Sequence, residues 1–281
     1  MVSIEHLTFA FKKNQPLFRD LSLMLEKGRM YGLFGLNGAG KTTLLNHISG
    51  LLFPKSGSIQ IEDEESRHRH PDTMRRLYLL PEQFDLPNID VDNYIRLHAP
   101  FYPSFDHKMA ADLMNQLKVT NEKPLPQLSY GQRKKFLIAF ALSTHADVVL
   151  MDEPTNGLDI PSKSQFRKVM AATDHSNRCV VISTHQVRDL DALIDNVIVL
   201  NNGKIIFQQD IETISKTLRF EKIAEGDERS PLYGEDVFGG ESVILPHTDN
   251  TKETPVDLEL LFNGIIEKSE QINQQFQKGA S

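Results

Sequence analysis

Apolar and polar positions alternate from the start of the chain: Ile4, Leu7, Phe9 and Phe11 with one irregularity, then Leu21, Leu23 and Leu25 cleanly. This period of two predicts two half-buried strands before the turn Lys27-Gly28. Residues 30–34 are a short apolar run, predicting a buried strand. A glycine-rich loop follows, then a helix through 43–48 that closes near Gly50 and Pro54. Residues 58–61 and 77–80 predict further strands. The charged stretch 62–70 between them, with His68 and His70 but no third ligand in view, predicts a solvated loop. From 88 to 145 the pattern becomes helical. Met109, Leu113 and Leu117 recur at spacing four, and 131–143 is a second helix with basic residues at its start. Strand-like runs resume at 148–151, 180–183, 197–200 and 204–207, the last two flanking the hairpin turn Asn201-Asn202-Gly203. The order predicts an α/β domain over residues 1–218 with a helical insert at about 88–145. Residues 219–281 form an appendage, in which 256–266 is apolar enough to dock as a helix.

Charge adds to this division. The chain of 281 residues has a net charge of -7, and residues 219–281, with 6 basic against 13 acidic groups, carry the entire excess. No basic surplus exists to drive nonspecific nucleic-acid binding, so no nucleic-acid partner is expected. The single cysteine, Cys179, lies in an apolar run, as a core residue of a reducing compartment would. The first residues lack a basic, then apolar, leader pattern, so no signal peptide is expected. No apolar run approaches the roughly 18 residues of a membrane span.

The strongest chemical motif is Gly35-Leu36-Asn37-Gly38-Ala39-Gly40-Lys41-Thr42-Thr43, between an apolar strand and a helix. Its glycines let backbone N–H groups curl around phosphate oxygens, and the helix turns its positive end to the same anion. Lys41 can reach β- and γ-phosphates, and the Thr42 hydroxyl can ligate Mg²⁺. About 110 residues on, the apolar run 148–151 ends in Asp152-Glu153-Pro154. Carboxylates there stand at the sheet edge where ligands of open α/β sheets bind. Asp152 can hold the Mg²⁺ shell, and Glu153 can polarise the attacking water as a general base.

Between these motifs lies Leu128-Ser129-Tyr130-Gly131-Gln132, directly before a helix. Here the chain resembles the ABC ATPase family, whose signature is L-S-G-G-Q; Tyr130 replaces the first glycine of the pair. The resemblance covers about residues 2–215. It implies a P-loop NTPase core with an antiparallel β subdomain and a helical insert, beside the small C-terminal appendage. It also implies that two subunits pack head to tail, each offering Ser129, Gly131 and Gln132 at the start of that helix to the ATP of the other. By the same resemblance Gln83 senses Mg²⁺ and the nucleophilic water. Gly157-Leu158-Asp159 meets the partner subunit, His185 contacts the γ-phosphate, and Phe11 stacks on adenine.

The function implied is that of an ATP-hydrolysing subunit that uses ATP and Mg²⁺, acts as a homodimer and energises a separate integral membrane permease. It would lie in the cytoplasm, on the inner face of the membrane. The segment Leu258-Glu259-Leu260-Leu261-Phe262 resembles the tails of bacterial exporter ATPases and favours export. The alternative is a soluble ABC ATPase outside transport. Because every nucleotide motif precedes residue 190, the appendage is expected to be removable without unfolding the rest.

Overall fold

The alternating amino-terminal segments pair as an antiparallel sheet in a computed structural model that describes residues 1–13, 15–121, 123–224, 227, 229–247 and 253–278. Its first strands are β1 (Val2–Phe9) and β2 (Phe18–Leu25). The irregularity in β1 is a register break between Ile4 and Leu7, where His6 takes a left-handed φ of 52°. Such a bulge returns Leu7 to the buried face. The chain then leaves this sheet for β3 (Arg29–Phe34) and helix α1 (Lys41–Ile48), and rejoins it through β4 (Ser56–Ile61) and β5 (Glu64–Glu65), giving the order β2-β1-β4-β5. The stretch expected as a solvated loop holds β5 and a 3-10 turn, with the His68 and His70 side chains exposed.

After α2 (Pro71–Arg75) come β6 (Leu77–Leu80) and the helical insert: α3 (Val91–His98), α4 (His107–Gln116) and α5 (Tyr130–Ser143). Each of the three starts on a polar cap. Asp90 accepts from Asn93 N, Asp106 from Met109 N and Ser129 from Gln132 N. Such caps satisfy amides that have no helical partner. From Lys134 onward α5 is buried on every side, and Phe140 packs among Tyr78, Tyr94, Tyr102 and Phe105.

The chain continues through β7 (Val148–Asp152), α6 (Ile160–Ala172), β8 (Cys179–Thr184), β9 (Asn196–Asn201) and β10 (Lys204–Asp210). These complete a central sheet of order β10-β9-β3-β8-β7-β6, parallel except for the β9–β10 hairpin. Both faces are covered, so β7 and β8 are apolar almost throughout. Parallel pairing sets Phe34 beside Thr184, and Asp152 beside Ser183. The chain therefore leaves β3, β7 and β8 at one edge, where Gly35, Glu153 and His185 follow. Cys179, in β8, is fully buried, and burial pushes its thiol up to about 12.

The carboxy-terminal part departs from expectation. After α7 (Ile211–Thr217), the strands β11 (Leu218–Ile223), β12 (Tyr233–Val237) and β13 (Gly240–Pro246) form a third, antiparallel sheet of order β11-β13-β12. The expected boundary at 218/219 falls inside β11. The hairpin β12–β13 ends in Phe238, fully exposed. The last helix, α8 (Leu258–Lys278), kinks at Lys268. It buries Leu258, Leu260, Leu261, Phe262, Ile265 and Ile272 in the same apolar cluster as Phe34, Met151 and Ile182. The Phe262 ring meets Phe34 edge-on at 6.3 Å, Phe276 meets Phe207, and Asn273 Nδ2 donates to the Ile206 carbonyl. This shared core argues against a separable appendage.

Candidate functional site

The loop between β3 and α1 holds its path because glycines stand where a side chain would clash or strain the backbone. A Cβ on Gly35 would stand 2.4 Å from the Leu200 carbonyl oxygen, and Gly40 holds φ at 112°, which L side chains rarely adopt. Helix α1 begins on Gly40 with no side-chain cap, so its first N–H groups face outward to the loop. The Lys41 ammonium folds back over the loop. It donates to the Gly35 carbonyl (2.7 Å) and Leu36 carbonyl (3.4 Å), and lies 3.7 Å from Glu153 Oε1. Burial lowers its pKa, and the Glu153 charge opposes that shift.

The loop floors a cavity of about 750 Å³. Asn37, Gly38, Ala39, Gly40, Lys41, Thr42 and Thr43 form the floor; Phe11 and Leu17 stand on one side, and Glu82, Glu153, Asn156 and His185 on the other. Phe11 is 68% exposed and meets Phe9 edge-on at 4.8 Å, leaving a ring face free at the rim.

Glu153 lines the opposite wall, and Asp152 lies buried beside it, reaching the cavity through Thr42. Asp152 accepts the Thr42 hydroxyl at Oδ2 (2.7 Å) and the Ser183 hydroxyl at Oδ1. Burial raises its pKa, and those two hydrogen bonds counter the rise. Glu153 sits at a left-handed φ of 46°, an uncommon backbone for this residue that surroundings must hold. Its N–H donates to the Ser183 carbonyl at 3.0 Å. The buried Lys134 ammonium donates to its carbonyl (2.7 Å) and to the Asn156 carbonyl (3.1 Å). Burial brings Lys134 down to about 8. The Glu153 carboxylate is fixed by the Thr184 hydroxyl (3.1 Å) at Oε2 and, at Oε1, by the His185 N–H (3.1 Å) and its Nδ1 (2.8 Å). A cation, a hydroxyl–carboxylate pair and a carboxylate–histidine pair thus converge around one cavity. That is the donor set for binding a polyphosphate and activating water beside it.

Gln83 is a correction. It is exposed and lies outside the cavity; Glu82 lines the wall instead, its Oε1 accepting from Asn156 Nδ2 (2.9 Å). The chain leaves β6 at Leu80 and turns at Pro81, so strand alternation no longer dictates which side chain faces inward. Ser129, Gly131, Gln132 and Asp159 also lie outside the cavity. Ser129 is exposed at the start of α5. Gln132 ties that helix to the preceding loop, donating to the Lys118 carbonyl (3.1 Å) and accepting from Thr120 N (3.3 Å). Asp159 caps α6, and hydrogen bonds from Ser162 hold its carboxyl below the usual range. Besides Glu82, no sequence pattern pointed to Asn156, Lys134 or Thr184. The first two come from turns and a helix interior, where residue type alone carries no direction.

Comparison with known proteins agrees with this geometry. A family model described as ABC transporter matches residues 18–156. The chain is similar to the ABC transporter ATP-binding protein YtrB of Bacillus subtilis (strain 168), at 26% identity covering 93% of this chain and 97% of that protein. It is 30% identical to the ABC transporter ATP-binding protein NatA of the same organism, covering 75% of this chain and 89% of the relative. Among solved structures, the ATP-binding subunit of an ABC transporter superposes with a TM-score of 0.67 at 24% identity, covering 76% of this chain and 91% of that one. Phosphate loop, paired carboxylates, fold and relatives lead to one assignment: the chain belongs to the ABC transporter ATP-binding family, whose cassettes hydrolyse ATP to power transport.

Proposed function

We propose that this subunit binds ATP in the cavity above the phosphate loop, hydrolyses it there as a head-to-tail homodimer, and drives export through a separate integral membrane permease. The observation that carries this reading is the convergence of Lys41, Thr42, Asp152, Glu153 and His185 around one cavity. ATP is the substrate. The free N–H groups at the start of α1 and Lys41 bind its phosphates, and Phe11 offers a ring face to the base. The Thr42 hydroxyl and Asp152 carboxylate, 2.7 Å apart, are hard oxygen donors that suit Mg²⁺. When bound, Mg²⁺ would neutralise charge developing on the β- and γ-phosphates. Lys41 must give up its carbonyl contacts and swing toward the anion. Glu153 takes the proton of the attacking water, with His185 holding the carboxylate and facing the γ-phosphate. Glu82, on the wall of the same cavity, takes the place expected of Gln83.

Ser129 and Asp159 lie exposed and Gly131 half-buried, all outside their own cavity, which is where residues serving a second subunit must lie. Among the described residues no helix is long and apolar enough to cross a membrane. By its family likeness the membrane component is assigned to another chain, with this subunit on its cytoplasmic face. The direction, export, rests on the segment 258–262, which opens α8 and is embedded in the core.

Two experiments test this reading. Lys41→Ala removes the cation facing the phosphates and should weaken ATP binding by roughly 10-fold or more, since a charge-assisted hydrogen bond is worth about 1.5–3 kcal/mol. Nucleotide titration with unchanged affinity would remove the loop from the mechanism. Purification from detergent-solubilised membranes should bring down a polytopic membrane protein in fixed stoichiometry. Recovery of this chain only in the soluble fraction, unpartnered, would count against transport.

A further inference from the structure

Tyr130, the residue that departs from the L-S-G-G-Q pattern, touches three segments around the cavity at once. Its hydroxyl donates to the Glu82 carbonyl at 2.6 Å. Its ring stacks on Phe84, with centroids 5.3 Å apart and planes 15° from parallel. The Lys134 ammonium stands 5.1 Å from the ring centroid while it holds the carbonyls of Glu153 and Asn156. On the remaining side the ring presses on Gly157, where even a Cβ would come within 2.9 Å of it. Asn156 closes the circuit by donating to the Glu82 carboxylate at 2.9 Å. Glu82, Glu153 and Asn156 line the cavity, and Tyr130 is the first residue of α5, directly after Ser129.

A glycine at this position could make none of these contacts. A residue that only filled space would need no hydrogen bond at 2.6 Å to the backbone of the cavity wall, nor a cation shared with the catalytic turn. We propose that Tyr130 is a positioning residue that ties the presentation of Ser129 to the partner subunit to the state of this chain's own nucleotide cavity. The strut works in both directions. A shift of Glu82 or of the 153–157 turn on nucleotide binding moves the ring, and the ring carries the first turn of α5 and its Ser129 cap. Two such struts in a head-to-tail dimer make each site's completion depend on occupancy of the other, which is positive cooperativity built from discrete contacts.

This inference rests on the head-to-tail reading above, and the test separates the two. Tyr130→Phe removes the hydrogen bond and keeps the ring. ADP affinity should stay within about two-fold, since one hydrogen bond outside the phosphate contacts is lost. The turnover number should fall about five-fold, the equilibrium worth of one such bond. The Hill coefficient for ATP should drop from near the site number of about 2 toward 1. Tyr130→Gly, which also removes the ring, should eliminate the cooperativity entirely while Ser129 still supports an ATP-bound dimer in a Glu153→Gln background. A Tyr130→Phe protein with unchanged turnover and Hill coefficient overturns the proposal, whatever its melting temperature. If the Glu153→Gln protein with native Tyr130 stays monomeric in saturating ATP, the head-to-tail reading falls, and the strut falls with it.

Discussion

Glu153→Gln is expected to turn a transient ATP complex into a long-lived one. Turnover should fall by roughly 10²–10⁴, the usual contribution of a general base. Binding should persist, because Lys41, Thr42 and the loop amides are untouched. The amide keeps the size of the side chain and can still accept, at its single oxygen, either the Thr184 hydroxyl or the His185 N–H, which bind different oxygens of the carboxylate. It also removes a negative charge standing 3.7 Å from Lys41. That charge competes with the γ-phosphate for the same ammonium, and its loss frees the cation for the nucleotide. With hydrolysis blocked, a dimer should accumulate with ATP and Mg²⁺ and be absent with ADP, as read by size-exclusion chromatography with light scattering. Turnover close to the native rate would remove Glu153 from the role of base.

Removal of residues 253–281 is expected to unfold the ATPase. The six apolar side chains that α8 contributes to the main core represent roughly 9–18 kcal/mol of burial at about 1.5–3 kcal/mol each. A whole domain has only about 5–15 kcal/mol of net stability. Deletion would also bare Phe34, the last residue before the phosphate loop, and Phe207. The truncated chain should be insoluble or melt without a cooperative transition, as followed by circular dichroism. A soluble truncate with the native melting temperature and nucleotide affinity would show that the helix docks without supporting the core.

Local chemistry made part of this molecule legible before any coordinates. The phosphate loop could be read because its glycines, lysine and threonine act through backbone geometry fixed by their own order. Asp152-Glu153 could be read because a buried strand must end at the sheet edge. Ser129, which its motif places directly before a helix, caps that helix. The Glu82 position was illegible because a turn after Pro81 separates it from the strand that would have set its direction. Lys134 looked like one of several basic residues at a helix start, yet it is fully buried, and only the turn at Glu153 explains its cation there. The third sheet stayed hidden because β12 is half exposed along its length and contains Gly234, so it carries no clean alternation.

Cys179 has a practical consequence. The thiolate is the reactive form of cysteine, and this thiol is both fully enclosed within β8 and pushed up to about 12. Toward alkylating dyes and thiol cross-linkers the folded native chain behaves as though it had no cysteine at all. A single cysteine substituted for Phe238, at the exposed tip of the β12–β13 hairpin, would then be the sole labelled position on the protein, giving a site for a fluorophore or spin probe without first engineering the natural thiol away.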